Sequence, residues 1–225
     1  MIVSATSEAI PTTSVSRTPS VLGMASIAGL AAGAALILLL QFIPPTDAIS
    51  PMRRTISEYG LTANKWIFDV AVVLIAAASA MLFALHARRR ALTAFSPAVV
   101  CGALWTVSLL AIVTFPKTNW ALGPSMGGTI HRIASVIGFV FLPIGLLLAS
   151  RNVFPRDARW RWATRVLSVT SLAWFGVILA GVGVMLAGGG PWWTVIPLGL
   201  VERLMAANEI LAVATLAVPL LRSRE

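Results

Sequence analysis

The chain has 225 residues, 58% of them hydrophobic and only 11% charged, with a mean hydropathy of +0.88. A soluble domain carries about 25% charged residues, so a fully water-facing exterior is excluded and most of the surface must meet lipid. The net charge of +9 points to membrane topology and away from nucleic acid, because the basic residues cluster between apolar runs, at Arg88-Arg89-Arg90 and from Arg151 to Arg165.

Residues 1–20 are rich in Ser, Thr and Pro, with only Glu8 and Arg17 charged, and are expected to form a disordered cytoplasmic tail. The apolar run after them exceeds the roughly 7–15 residues of a signal-peptide core, so it reads as a retained span, Val21–Ile43. Runs of about 20 residues, the length that crosses the hydrocarbon core, follow at Trp66–Leu85, Phe95–Phe115, Ile130–Ala149, Val166–Ala187 and Ile196–Leu221. The expected fold is all-α: one six-helix transmembrane domain over residues 21–221, with residues 222–225 as a second cytoplasmic tail. Pro97 suits the first turn of the third helix, where its missing N–H costs nothing. Gly29 and Gly33 in the first span, and the Gly176/Ala180 and Gly183/Ala187 pairs in the fifth, are spaced for close packing within the bundle. An offset of about 71 residues relates Ile130-His131-Arg132 to Val201-Glu202-Arg203 and, nearly, Phe42-Ile43-Pro44-Pro45-Thr46 to Phe115-Pro116-Lys117-Thr118. This suggests three stacked helical hairpins.

Lys and Arg set the orientation. With the N-terminus in the cytoplasm, the cytoplasmic segments hold Arg17, Arg88, Arg89, Arg90, Arg151, Arg156, Arg159, Arg161, Arg165, Arg222 and Arg224. The opposite side holds Arg53, Arg54, Lys65, Lys117, Arg132 and Arg203. Eleven against six favours both termini in the cytoplasm and a place in the cell (inner) membrane. Tryptophans mark both interfaces, with Trp66, Trp120, Trp192 and Trp193 at one and Trp160 and Trp162 at the other.

The outward side carries the chemistry. Its longest loop, Pro44 to Lys65, holds Asp47, Arg53, Arg54, Ser57, Glu58 and Tyr59. Ser50 as N-cap and Pro51 at the first position predict a short helix to Tyr59, with Arg54 and Glu58 one turn apart. Asp69, His131, Arg132, Glu202 and Arg203 lie just inside the spans on that side. Ionisable residues within a span cost about 2.5–3.5 kcal/mol each on insertion scales. They are therefore expected to face inward and either to line a shared polar cavity or to form a salt-bridged network that only fixes helix packing. For Arg203 the expected partners are Asp69, Glu58 or a bound anion. Glu209 falls near the middle of the sixth span, seven residues beyond Glu202; that spacing puts both carboxyls on one face, roughly 10 Å apart, and makes Glu209 a candidate for a proton path or for a buried hydrogen-bonded anchor.

Other chemistries find no support. One cysteine, Cys101, excludes an internal disulfide, a Cys-based zinc cage and a CxxC pair. Two histidines are too few for a three-His metal site. His86 and His131 sit at opposite ends of their helices, roughly 25–30 Å apart, so neither a haem nor any other cofactor is expected. GxSxG, HExxH and P-loop patterns are missing; a Ser57–His131–Asp69 triad is the one hydrolytic arrangement the outer residues offer.

The stretch Arg54-Thr55-Ile56-Ser57-Glu58-Tyr59-Gly60, with His131 opening the fourth helix and Glu202-Arg203-Leu204 early in the sixth, resembles the bacterial and archaeal membrane family catalogued as domain of unknown function 998. The resemblance covers about Val21 to Leu221 and implies a six-span prokaryotic membrane protein with no established activity. The reading from the residues is a binding or accessory protein rather than an enzyme. It has an outward pocket for a lipid headgroup or small amphiphile, built from Arg53, Arg54, Glu58, Tyr59, Asp69, His131, Arg132, Glu202 and Arg203. Membrane lipid is the expected partner, with a partner membrane protein left open. A proton-coupled transporter using Glu209 and Glu202 and an intramembrane hydrolase are the alternatives.

Overall fold

The computed structural model describes residues 21–222. The expected tail 1–20 and the last three residues lie outside them, and Arg222 closes the final helix. The chain folds as α1 Val21–Leu39, α2 Lys65–Arg88, α3 Pro97–Thr114, α4 Met126–Val153, α5 Ala158–Leu186, a one-turn α6 Trp192–Val195, α7 Leu198–Thr215 and α8 Ala217–Arg222. Six helical stretches, counting Leu198–Arg222 as one, are long and apolar enough to cross a membrane. No strand occurs among the described residues. Six crossings return the chain to the end of the bundle from which it started. That terminal end also carries the turns 89–96 and 154–157; the loop end carries residues 40–64, 115–125 and 187–197.

Consecutive spans pack as three hairpins, α1 on α2, α3 on α4 and α5 on α7, with α4 also against α5 and α2 against α3. Small residues set the first two seams. A Cβ on Gly33 would stand 2.6 Å from Ile75 Cγ1, and one on Gly145 would stand 2.7 Å from Cys101 Cβ. The Gly29/Gly33 spacing thus serves packing on α2. The same expectation fails for the fifth span. Gly176 and Gly183 meet nothing within 4 Å, because α5 turns a different face, Thr164, Ser168, Ser171 and Gly181, inward.

Helix ends follow local chemistry. Pro97 stands at the start of α3 as the sequence indicates, with Ser96 as the extended residue before it. α4 starts a turn earlier than hydropathy suggests, at Met126, because the Ser125 hydroxyl accepts the Gly128 N–H at 3.0 Å and so satisfies a first-turn donor. α5 begins two turns earlier than expected, where Asp157 accepts from Trp160 N; its first turns carry Arg159, Arg161 and Arg165 and were too polar to read as span. The last span divides at Leu216, where Pro219 has no N–H to offer and crowds the carbonyl a turn before it. His86 donates from Nε2 to the Leu216 carbonyl at 2.7 Å, which gives this buried histidine a structural task. α5 runs unbroken through Gly181–Gly183 and α4 through Pro143.

The predicted Ser50–Tyr59 helix is replaced by a turn over Pro51–Arg54 and a 3-10 helix at Ile56–Leu61. Ser50 still accepts from Arg53 N at 3.4 Å, but Thr55 is extended and ends the turn. The Arg54–Glu58 pair forms across that break, with Nε to Oε2 at 3.0 Å.

Candidate functional site

The first loop lies across the loop end of the bundle and is fastened on two sides. On one side it meets α7. A Cβ on Gly199 would fall 2.4 Å from the Arg54 carbonyl and 2.6 Å from the Pro51 carbonyl, so only glycine admits this approach. Leu200 N–H donates to Met52 O at 3.3 Å. One turn on, Arg203 Nη1 donates to Pro51 O at 3.1 Å, Arg54 O at 2.8 Å and Gly199 O at 3.0 Å. Its Nη2 reaches Tyr59 Oη at 2.8 Å and Gln41 Oε1 at 3.4 Å, with the guanidinium 5.7 Å from the Tyr59 ring centroid. The buried Tyr59 hydroxyl donates in turn to Gln41 Oε1 at 2.8 Å. Arg203 therefore has neither Asp69 nor Glu58 as partner. Backbone carbonyls, a phenol and an amide satisfy it, as suits a planar fork with several donors.

On the other side the loop meets the segment after α3. Lys117 Nζ donates to Glu58 Oε1 at 2.8 Å and to Thr55 Oγ1 at 2.7 Å. Glu58 thus stands between Arg54 and Lys117. Asp69 is occupied elsewhere, paired with Lys65 one turn back, and Lys65 also donates to Val113 O at 3.2 Å. Arg53 and Arg132 are exposed.

Beneath the loop lies a cavity of about 100 Å³, lined mainly by apolar side chains of α1, α2, α3, α4 and α7, with Ile56 and Ser57 above. Its polar lining residues are Ser57, Trp105, His131, Ser135 and Glu202. On α7 it runs past Glu202, Ala206 and Ile210, a length of ~12 Å at 1.5 Å per residue. Glu202 Oε2 accepts the Ile56 N–H at 2.5 Å, tying this carboxyl to the loop that covers it. His131 sits a turn and a half inside α4 and is buried. Its Nδ1 lies 2.8 Å from the Phe115 carbonyl. A carbonyl oxygen only accepts, so the proton is on Nδ1, and in the neutral ring Nε2 is a bare lone pair. The Ile112 carbonyl is also near the ring, but Nε2 is buried without a hydrogen-bond partner. Trp105 Nε1 is likewise unpartnered; its ring packs beside Gly138, seven residues along α4 from His131.

The expected constellation thus divides. His131 and Glu202, related by the 71-residue offset, line the cavity together. Arg54, Glu58, Tyr59 and Arg203 hold the loop over it, while Arg53, Arg132 and Asp69 lie outside. The Ser57–His131–Asp69 triad does not assemble, since Asp69 is bound to Lys65 and His131 Nδ1 to a carbonyl. Glu209 lies in the α5–α7 seam, where Oε1 accepts from Ser171 at 2.9 Å and Oε2 has no partner. Thr164 and Thr215 join the same seam at 2.7 Å. No group of three metal-ligating side chains occurs among the described residues. Gln41, Lys117, Gly199 and Trp105 are the residues that sequence reasoning missed. Gln41 and Trp105 look like span residues, and the other two like ordinary loop and helix positions.

No curated protein and no solved structure matches the chain. A family model described as protein of unknown function (DUF998) matches residues 26–219. With its cap segment, His131 and the Glu202-Arg203 pair all inside the matched region, this six-span chain belongs to that family.

Proposed function

We propose that this multi-pass protein binds a small amphiphile in the cavity beneath its first loop and acts as a binding or accessory protein. In this reading it lies in the cell's inner membrane with both termini in the cytoplasm, and the capped end faces outward. The eleven-to-six division of Lys and Arg supports that orientation. One observation carries the binding reading: a mainly apolar cavity between the spans retains an unpartnered imidazole nitrogen and has the Glu202 carboxyl in its lining. Buried polar atoms are nearly always paired in folded proteins, so an unspent one in a cavity is a place for a ligand.

The volume bounds that ligand. An apolar void of about 150 Å³ takes up benzene; a cavity of about 100 Å³ holds the end of one slender chain, and a two-chain phospholipid is too large. Arg53 and Arg132, exposed at this end, are left to meet anionic headgroups of the surrounding bilayer.

The test is mass spectrometry of small molecules retained by the purified protein, compared with Ala206→Phe, which fills the cavity from α7. The wild type is expected to carry an amphiphile that the variant lacks, with thermal stability unchanged or raised. Equal retention by both proteins excludes the cavity as the site.

A further inference from the structure

Resting on the cavity reading, we infer that the ligand carries a single hydroxyl on an apolar chain, which donates its hydrogen bond to His131 Nε2 beneath the first loop. The argument is an inventory of donors and acceptors at the capped end. Ser57 shares its hydroxyl with Thr55 Oγ1 at 3.1 Å, and Ser135 donates to the His131 carbonyl at 2.9 Å. Glu202 spends Oε2 on Ile56 N–H. The unspent acceptor is the Nε2 lone pair, with the rest of the Glu202 carboxyl in the same lining. Trp105 Nε1–H is an unspent donor in the same lining, and a hydroxyl, which both donates and accepts, is matched to a lining of that mixed kind.

A site that offers acceptors selects a donor. A carboxylate or phosphate brings only acceptors and has no proton to give the bare Nε2, and its charge is costly in a mainly apolar lining. An ether or ester accepts without donating and leaves Nε2 as it is. An ammonium donates, but it carries a charge and three N–H groups into a mainly apolar lining, where every unpaired one costs free energy. A hydroxyl needs one acceptor and brings no charge. Its chain then runs along Ala206 and Ile210 into the apolar part of the cavity. Fatty alcohols, isoprenoid alcohols and glycerol esters with a free hydroxyl all present this group, and they differ in how much bulk the narrow cavity must take beside it.

A diazirine-bearing hexanol, photoactivated with the protein in phosphatidylcholine nanodiscs, tests this by mapping labelled peptides of α3, α4 and α7. Competitors are 1-hexanol, 1-methoxypentane, hexylammonium and hexanoate, compared at equal membrane concentrations. 1-Hexanol is expected to displace the label at about one-tenth the concentration the ether requires, the worth of one hydrogen bond, with hexanoate weakest. In His131→Leu the alcohol and ether should compete equally while labelling persists, and His131→Gln, which keeps an acceptor, should restore part of the preference. Dodecanol, farnesol and monoacylglycerol as further competitors separate the three sources. An ether as good as the alcohol, or hexylammonium as the best competitor, overturns the hydroxyl assignment and leaves the cavity reading standing. Absence of saturable labelling, the result expected if the cavity holds only water, removes both.

Discussion

Two polar clusters sit within a turn of each other at the loop end, and they have opposite character. Around Arg203 both terminal nitrogens are used: three carbonyls, a phenol and an amide oxygen close on one guanidinium. Around His131 and Glu202 the inventory is left open, with Nε2 lacking a partner beside a void. Adjacent residues of one helix, Glu202 and Arg203, contribute to the two clusters, since neighbours on a helix point about 100° apart. The contrast separates polarity that builds the protein from polarity that serves a ligand. A satisfied network rigidifies the fold, whereas an unsatisfied group in a cavity is an invitation.

The comparison breaks first at Arg203. Arg203→Ala removes several charge-assisted hydrogen bonds, each worth about 1.5–3 kcal/mol, and should destabilise the folded protein by about 3–5 kcal/mol. Protease cleavage between Pro51 and Gly60 should rise with it. Arg203→Lys should recover little, because an ammonium cannot span carbonyls and phenol together. Asp69→Asn should not rescue either variant, since Asp69 belongs to Lys65. A thermal unfolding series with limited proteolysis reads all of these, and rescue by Asp69→Asn would show that Arg203 has an acidic partner after all.

Next in size is Gly199→Ala. Its Cβ would meet two loop carbonyls at 2.4 Å and 2.6 Å, so the loop must lift from α7. Overpacking of this kind costs about 1–3 kcal/mol, and cysteine-accessibility labelling at Met52→Cys should increase. A Gly199→Ala protein with wild-type stability and unchanged labelling would mean that the loop floats free of α7.

Glu209→Gln should be the mildest. Its Oε1 accepts from Ser171, and an amide oxygen can do the same in the same volume. The loss of stability should stay under about 1 kcal/mol. Failure of this variant to assemble would reveal a need for the ionised carboxylate, and would place the seam in the ligand-serving class along with His131.

How much of this was legible in the sequence depends on what carries each feature. The six spans and their hairpins were readable because apolar length and Gly33-type spacing are properties of the residues themselves. The cavity was half readable: His131 and Glu202 stood out as ionisable groups inside spans. Arg203 was expected to seek an acid, but its partners are carbonyls of Pro51, Arg54 and Gly199, and backbone atoms leave no mark in a sequence. Lys117 answers Glu58 across 59 residues, a pairing only the folded loop reveals. For α5 the Gly176/Ala180 pattern pointed to a packed face, whereas Thr164, Ser168 and Ser171 define the inward one. Small residues license close approach without requiring it.

The grip of α7 on the first loop is made to main-chain oxygens of Pro51, Met52 and Arg54. A clasp of that kind takes no account of what the loop's outward side chains are. Met52 and Arg53 can change in size or charge while the loop keeps its course, provided residues 199 and 203 stay as they are. The surface above the cavity is thereby uncoupled from the architecture beneath it, and descendants of this chain can alter what they meet outside without rebuilding the bundle.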